Sequence, residues 1–444
     1  MNDWLEAEQR VERAQQLAES QQWDEALAEL DAAIAINPNN APWHAHRGFV
    51  LQQMDRSDQA ASAFERAVEL DPSDKDLLMA LGTARMALGR FAAALQVFDR
   101  VGQIDRDFEP AYCHRIAVYA ELGRHEQAEE MFYLAQQLDE RCPHCFFHLG
   151  ASLAMRAQYE QAIRCWRQTL ALHPEYPEVR TRIARALRAQ GQHDAARREY
   201  LEEYRNDAGN VELLVEMAEA AYEAGDPDAA ITKLTQAIEL EPDEPRAHLL
   251  LGGICFETQK YSRALRCFQR ALALDDRLPG IHNHIGRTLA QLGKLKPALR
   301  HLRVALREAP EDKVLLACLA SCYFNLNRFD LAATTYQKLL SIDGKLVAAH
   351  INLGICQYRL GMHDAGLRHC LLAVEFDDKC AEALRFAALG HMQLGHWRSA
   401  RQALRKAAEL APEDPGIRRL RRKLIWYPLR SFLRRAIRPF RKQA

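Results

Sequence analysis

The chain has 444 residues, 48% hydrophobic and 27% charged, with a net charge of −1 at neutral pH. That balance suits a soluble protein with extensive apolar packing and excludes a disordered or fibrous composition. The polar, acidic start MNDWLEAEQR is no secretory signal, no long apolar run occurs, and eleven scattered cysteines suit a reducing compartment, so a cytoplasmic protein is expected.

Taken in chain order, the predicted elements repeat. Residues 1–6 extend a first helix. From Ala7 a helix–turn–helix pattern then recurs every 34 residues, twelve times without insertion, and ends at Asp414. The eighth residue of each segment is Gly or Ala in eleven of the twelve, as at Gly48, Gly82, Gly150 and Gly252, with Ile116 the exception. The twentieth is Ala or Gly throughout. The twenty-fourth is mostly large, as at Phe64, Phe98, Phe132, Trp166, Tyr200, Phe268 and Tyr336. A Gly or Asn near position 15 (Gly89, Gly123, Gly191, Gly225, Gly293, Asn327, Gly361 and Gly395) marks the turn, and proline stands at position 32 in six segments. Small residues at 8 and 20 let two helices approach closely, and the bulky residue at 24 fills the remaining gap. One such hairpin cannot bury its apolar face alone, so the segments must stack.

These residues resemble the tetratricopeptide repeat family over residues 7–414. The resemblance implies an all-α fold, a right-handed superhelical α-solenoid. Its first helices would line a concave groove, with positions 2, 5, 6, 9, 12 and 13 facing inward. In chain order the groove candidates are then His46, Phe49, His114, His148, Arg182, Arg185, Arg188, Glu216, Glu219, His284, Arg287 and Asn352. Met79, Met86, Phe147, Phe256, Phe324 and Tyr358 add apolar positions. Histidine at position 6 stands where the long array of O-GlcNAc transferase, which looks similar, presents asparagine. A grip made by histidine would be pH-sensitive, and solvated histidines are the plainer alternative. Matching registers predict that Arg182 faces Glu216 and Arg185 faces Glu219. That arrangement reads either as an ion-pair ladder between repeats or as a split charged site for a peptide segment. The carboxylate clamp by which chaperone co-factors of this fold hold a C-terminal tail is not reproduced. Asn352 is the one Asn at position 6, and its flanking repeats supply Ala317, Ser321, Glu382 and Phe386.

The stretch RCPHCFFHLG, residues 141–150, looks most like chemistry. A redox dithiol needs a sheet beside it, and the register instead places Cys142 and Cys145 at the start of a first helix. A thiol there gains some thiolate character. A metal site would draw on Cys113 and His114 of the preceding repeat together with His144, Cys145 and His148. A second ligand pair of the usual spacing is missing. Ordinary repeat residues are the preferred reading, and no metal or cofactor is expected.

From Pro415 to Ala444 the chain carries eleven Lys or Arg and no acid, which leaves 48 basic and 60 acidic residues in the rest. Ile417, Leu420 and Leu424 are spaced to cap the last repeat. Beyond Pro428, Arg430, Arg434, Arg435 and Arg438 alternate with Phe432 and other apolar residues, a basic amphipathic pattern suited to an anionic membrane surface. Nucleic acid is a weaker candidate, and docking onto the acidic body is a third. With no P-loop, HExxH or nucleophile elbow, the sequence points to a non-enzymatic scaffold that binds unknown protein or peptide partners in its groove. The alternative is a peripheral membrane-associated assembly factor anchored by the tail.

Overall fold

A computed structural model describes residues 2–424 of the chain. The tail positions Arg430, Phe432, Arg434, Arg435 and Arg438 lie outside the described residues. Among those described, the secondary structure is helical throughout, with no strand. No described helix is long and apolar enough to cross a membrane.

The chain divides into two compact units, residues 1–224 and 225–444. The first opens with α1 (Asn2–Glu19), α2 (Trp23–Ile36), α3 (Ala41–Gln53) and α4 (Ser57–Leu70). It continues with α5 (Lys75–Ala87), α6 (Phe91–Ile104), α7 (Glu109–Glu121), α8 (His125–Leu138) and α9 (Pro143–Met155). α10 (Tyr159–Leu172), α11 (Val179–Ala189), α12 (His193–Asn206) and α13 (Val211–Glu223) complete it. The second unit begins with α14 (Pro227–Leu240), α15 (Pro245–Glu257), α16 (Tyr261–Leu274), α17 (Ile281–Gln291) and α18 (Leu295–Glu308). It goes on through α19 (Lys313–Asn325), α20 (Phe329–Ile342), α21 (Val347–Arg359), α22 (His363–Phe376), α23 (Ala381–Gln393) and α24 (Trp397–Leu410), then residues 415–424, also helical. Within each unit the hairpins stack in chain order, as the 34-residue register requires.

The spacing of small and large residues is what closes each hairpin. A Cβ placed on Gly48 would sit 2.6 Å from the Phe64 ring, and one on Gly150 would sit 2.5 Å from Trp166 Nε1. Gly252 meets Phe268 in the same way, 2.6 Å away. Position 8 is small because the ring at position 24 occupies the volume a methyl group would take. Repeat 11 departs from this plan. Its position 24 is Cys370 and its position 20 is Gly366, which leaves space that Tyr358 fills. The Tyr358 ring lies against Gly366 and Gly390, and its hydroxyl donates to the Phe386 carbonyl at 3.1 Å. Tyr358 is therefore buried rather than presented to a partner, because two glycines open a slot for it.

All twelve turns use a left-handed residue. Eight are the Gly and Asn positions picked out by the sequence. The other four are Gln21, Asp55, Ala157 and Gln259, with φ between 56° and 60°. Helix starts are capped where the side chain allows it: Asn210 Oδ1 accepts from the Leu213 N–H at 2.9 Å, and Asp312 Oδ1 from that of Val314 at 2.7 Å. At the C-terminal end Ile417 and Leu424 are buried against Leu404 and Ala407, with Leu420 packed beside them.

Candidate functional site

Four first helices of the first unit, α7, α9, α11 and α13, carry most of the side chains singled out by the register. Position 6 brings His114, His148 and Arg182 to equivalent places in successive repeats. These histidines are half-buried, as are His46 and His284. His114 stacks on Phe98 of the preceding second helix at 5.2 Å, with the ring planes 10° apart. His284 repeats the arrangement on Phe268 at 5.0 Å and 22°. Burial lowers the pKa of His46, His114 and His284 below the usual imidazole range. Burial, followed by the positive charge of His114, His144 and Arg182, holds His148 down to about 3. All four are partly buried, and that burial disfavours their charged forms.

Arg182 lies over the Phe147 ring at 4.8 Å and pairs with Glu178 one turn earlier at 3.3 Å. Phe147 in turn packs on Tyr176, with centroids 5.0 Å apart, and the Tyr176 hydroxyl is hydrogen-bonded to His144 Nδ1 at 2.7 Å. Tyr176 was not among the sequence candidates. Its signal is an aromatic residue at position 34, on the junction between repeats, where the register offered no reason to expect a role.

The charged stripes of α11 and α13 do meet, but one helical turn away from the expected pairing. Arg185 is bound by Glu216, with Nε 2.9 Å from both carboxylate oxygens, and Arg188 by Glu223 at 2.7 Å and Glu219 at 3.5 Å. The expectation that Arg182 faces Glu216 and Arg185 faces Glu219 is corrected. Arg185 and Glu216 are 31 residues apart and Arg188 and Glu223 are 35 apart, so the pairs depart from the 34-residue spacing in both directions. Glu216 is 3% exposed and also accepts from the Tyr200 hydroxyl at 3.0 Å. Its buried carboxylate is thus shared between Arg185 and Tyr200.

In the remaining candidate positions, Phe49 is 49% exposed, with its edge toward Phe64. Arg287 lies over Phe256 at 4.9 Å. Phe147, Phe256, Phe324, Met79 and Met86 are half-buried.

The cysteine stretch brings together a set that the sequence only partly foreshadowed. Cys142 caps α9, its sulfur accepting from the Cys145 N–H at 3.4 Å. Cys113 of α7 lies 2.7 Å from the Cys145 sulfur and 3.3 Å from that of Cys142. Glu109 Oε1 is 2.7 Å from Cys113 Sγ and 3.2 Å from Cys145 Sγ. All three thiols are free. Burial raises the Glu109 carboxyl, while the Cys113 and Cys145 thiols aimed at Cys142 lower its pKa. None of His114, His144 or His148 joins the group. The missing partner was Glu109, whose signal is its place four residues before Cys113 on one helix face.

A stacked array of helical hairpins with a 34-residue register is the architecture of a repeat protein built for contact with other chains. Tetratricopeptide repeat models match residues 149–211, 215–280, 256–313 and 283–346, and 51–112, and a TPR repeat model matches 14–55. The chain belongs to the tetratricopeptide repeat family, whose members are protein–protein interaction scaffolds. It is 28% identical over 137 residues to the protein CTR9 homolog of Arabidopsis thaliana, covering 31% of this chain and 12% of that one. It is 35% identical over 70 residues to the peptidyl-prolyl cis-trans isomerase FKBP42 of the same plant, covering 16% of this chain and 19% of the relative. The matches thus span a small part of those relatives' length. Among solved structures, YrrB, described as a TPR protein with an unusual peptide-binding site, is 22% identical with a TM-score of 0.39, over 43% of this chain and 97% of that one.

Proposed function

We infer that this protein is a non-catalytic scaffold and that a protein segment binds along the first helices α7, α9 and α11, on the inward face that the family's right-handed superhelix would give them. The observation that carries this reading is the Arg182 platform. Arg182 is the one cation of the three-arginine stripe not held by a carboxylate of the next repeat. Its guanidinium carbon lies 4.8 Å from the centre of the Phe147 ring, on which Tyr176 also packs. An arginine held over an aromatic ring keeps further N–H donors for a ligand carboxylate or backbone carbonyl, and the rings add apolar contact. A segment combining an acidic and an apolar residue fits that chemistry.

The pairing pattern also selects the experiment. Reversing Arg185 or Arg188 would strand the buried Glu216 or break the ladder, so loss of binding would report damage to the fold. Arg182→Glu and Phe147→Ala leave the ladder intact. Each is expected to deplete specific proteins from an affinity capture by the full chain, at unchanged helicity. A partner list identical to that of the parent chain would remove this site.

A further inference from the structure

The thiol cluster at the junction of repeats 4 and 5 serves no partner in the reading above. The donor atoms of Glu109, Cys113, Cys142 and Cys145 all lie within 4.8 Å of one another; the three cysteines are buried and Glu109 half-buried. Two donors come from α7 at positions i and i+4, hence from one face. The other two come from the cap and first turn of α9, where the positive end of the helix dipole favours thiolate. The geometry suits a tetrahedral shell. With zinc–sulfur bonds of about 2.3 Å, ligand sulfurs stand about 3.8 Å apart, and the observed 2.7 and 3.3 Å reach that edge by small rotations of the side chains. Sulfurs directed at one another make poor hydrogen bonds, so nothing else evident holds them together.

A second observation is independent of the donors. α7 and α9 pack against each other more extensively than any other pair of first helices from neighbouring repeats within either unit. The repeat stack is locally drawn in where the four donors meet.

We propose that Glu109, Cys113, Cys142 and Cys145 bind one structural zinc-class cation that fastens repeat 4 to repeat 5. Three sulfur ligands select a soft or borderline divalent ion over magnesium or calcium, and four protein donors with no open position make the site structural rather than catalytic. On binding, the three thiols release their protons to solvent and no electrons move. The bound ion sets the placement of α9, and with it Phe147 and His148, relative to α7.

The test uses the full chain purified under reducing conditions. One equivalent of zinc is expected by elemental analysis. Replacing zinc by cobalt should produce tetrahedral visible bands and thiolate-to-cobalt charge-transfer absorption. Cys113→Ser and Cys145→Ser should abolish both signals, whereas Cys165→Ser, at a half-buried thiol on α10 outside the set, should leave them intact. If a variant loses helicity, the cobalt titration of the parent chain decides alone. A parent chain with no zinc and no thiolate–cobalt band overturns the proposal, as does a native disulfide joining Cys113 to Cys142 or Cys145 in mass spectra.

Discussion

At the scale of single residues, the charged and titratable groups are committed to the fold more than their sequence positions suggest. Glu216 is the clearest case, since its carboxylate serves both Arg185 and Tyr200 from a buried position. Glu216→Ala should cost about 2 kcal/mol, in the range for hydrogen bonds to a charged group, reduced from a fully buried pair because Arg185 is half in solvent. Urea unfolding followed by circular dichroism checks this, and a change below about 0.5 kcal/mol would be incompatible with the ladder being intact. His284 makes a pH prediction. Its folded pKa is lowered by burial and then by Arg287, so the unfolded chain takes up its proton first as pH falls below about 6.5. Stability should therefore fall with acidification through that range, by at most about 1.4 kcal/mol per pH unit for this one proton. His284→Phe keeps the stack on Phe268 and should flatten that slope while leaving stability above pH 7 unchanged. Parallel curves for the two proteins would contradict the assignment.

At the scale of elements, the small-residue code and the turn code have separate costs. Gly82 lies so close to Phe98 that Gly82→Ala must displace a wholly buried ring, with an expected loss of about 1–3 kcal/mol. The turns predict the opposite sign. Ala157 adopts φ 56° at a position where most of the other repeats use Gly, so Ala157→Gly should raise stability by about 0.5–1 kcal/mol. Thermal melts of both variants test the pair, and a destabilised Ala157→Gly would mean the strain is absorbed elsewhere.

At the scale of the whole molecule, each hairpin finds most of its partners in its immediate neighbours, so perturbations should stay local. Glu216→Ala is expected to speed amide hydrogen exchange in repeats 6 and 7 and to leave repeats 10 to 12 at parent rates. Uniform acceleration along the chain would show cooperativity beyond neighbouring repeats.

The fold was legible because a 34-residue period repeats one packing problem twelve times. Gly48 with Phe64, Gly150 with Trp166 and Gly252 with Phe268 solve it in the same way, and every copy strengthens the inference. The chain's belonging to the tetratricopeptide family follows from that period. Pairings between repeats were less accessible. Side-chain reach decides whether Arg185 meets Glu216 or Glu219, and periodicity does not carry that choice. Tyr358 and the group formed by Glu109, Cys113, Cys142 and Cys145 escaped for the complementary reason. Each depends on a local exception, two glycines in one case and two adjoining helices drawn together in the other, and only three-dimensional packing brings such exceptions into contact.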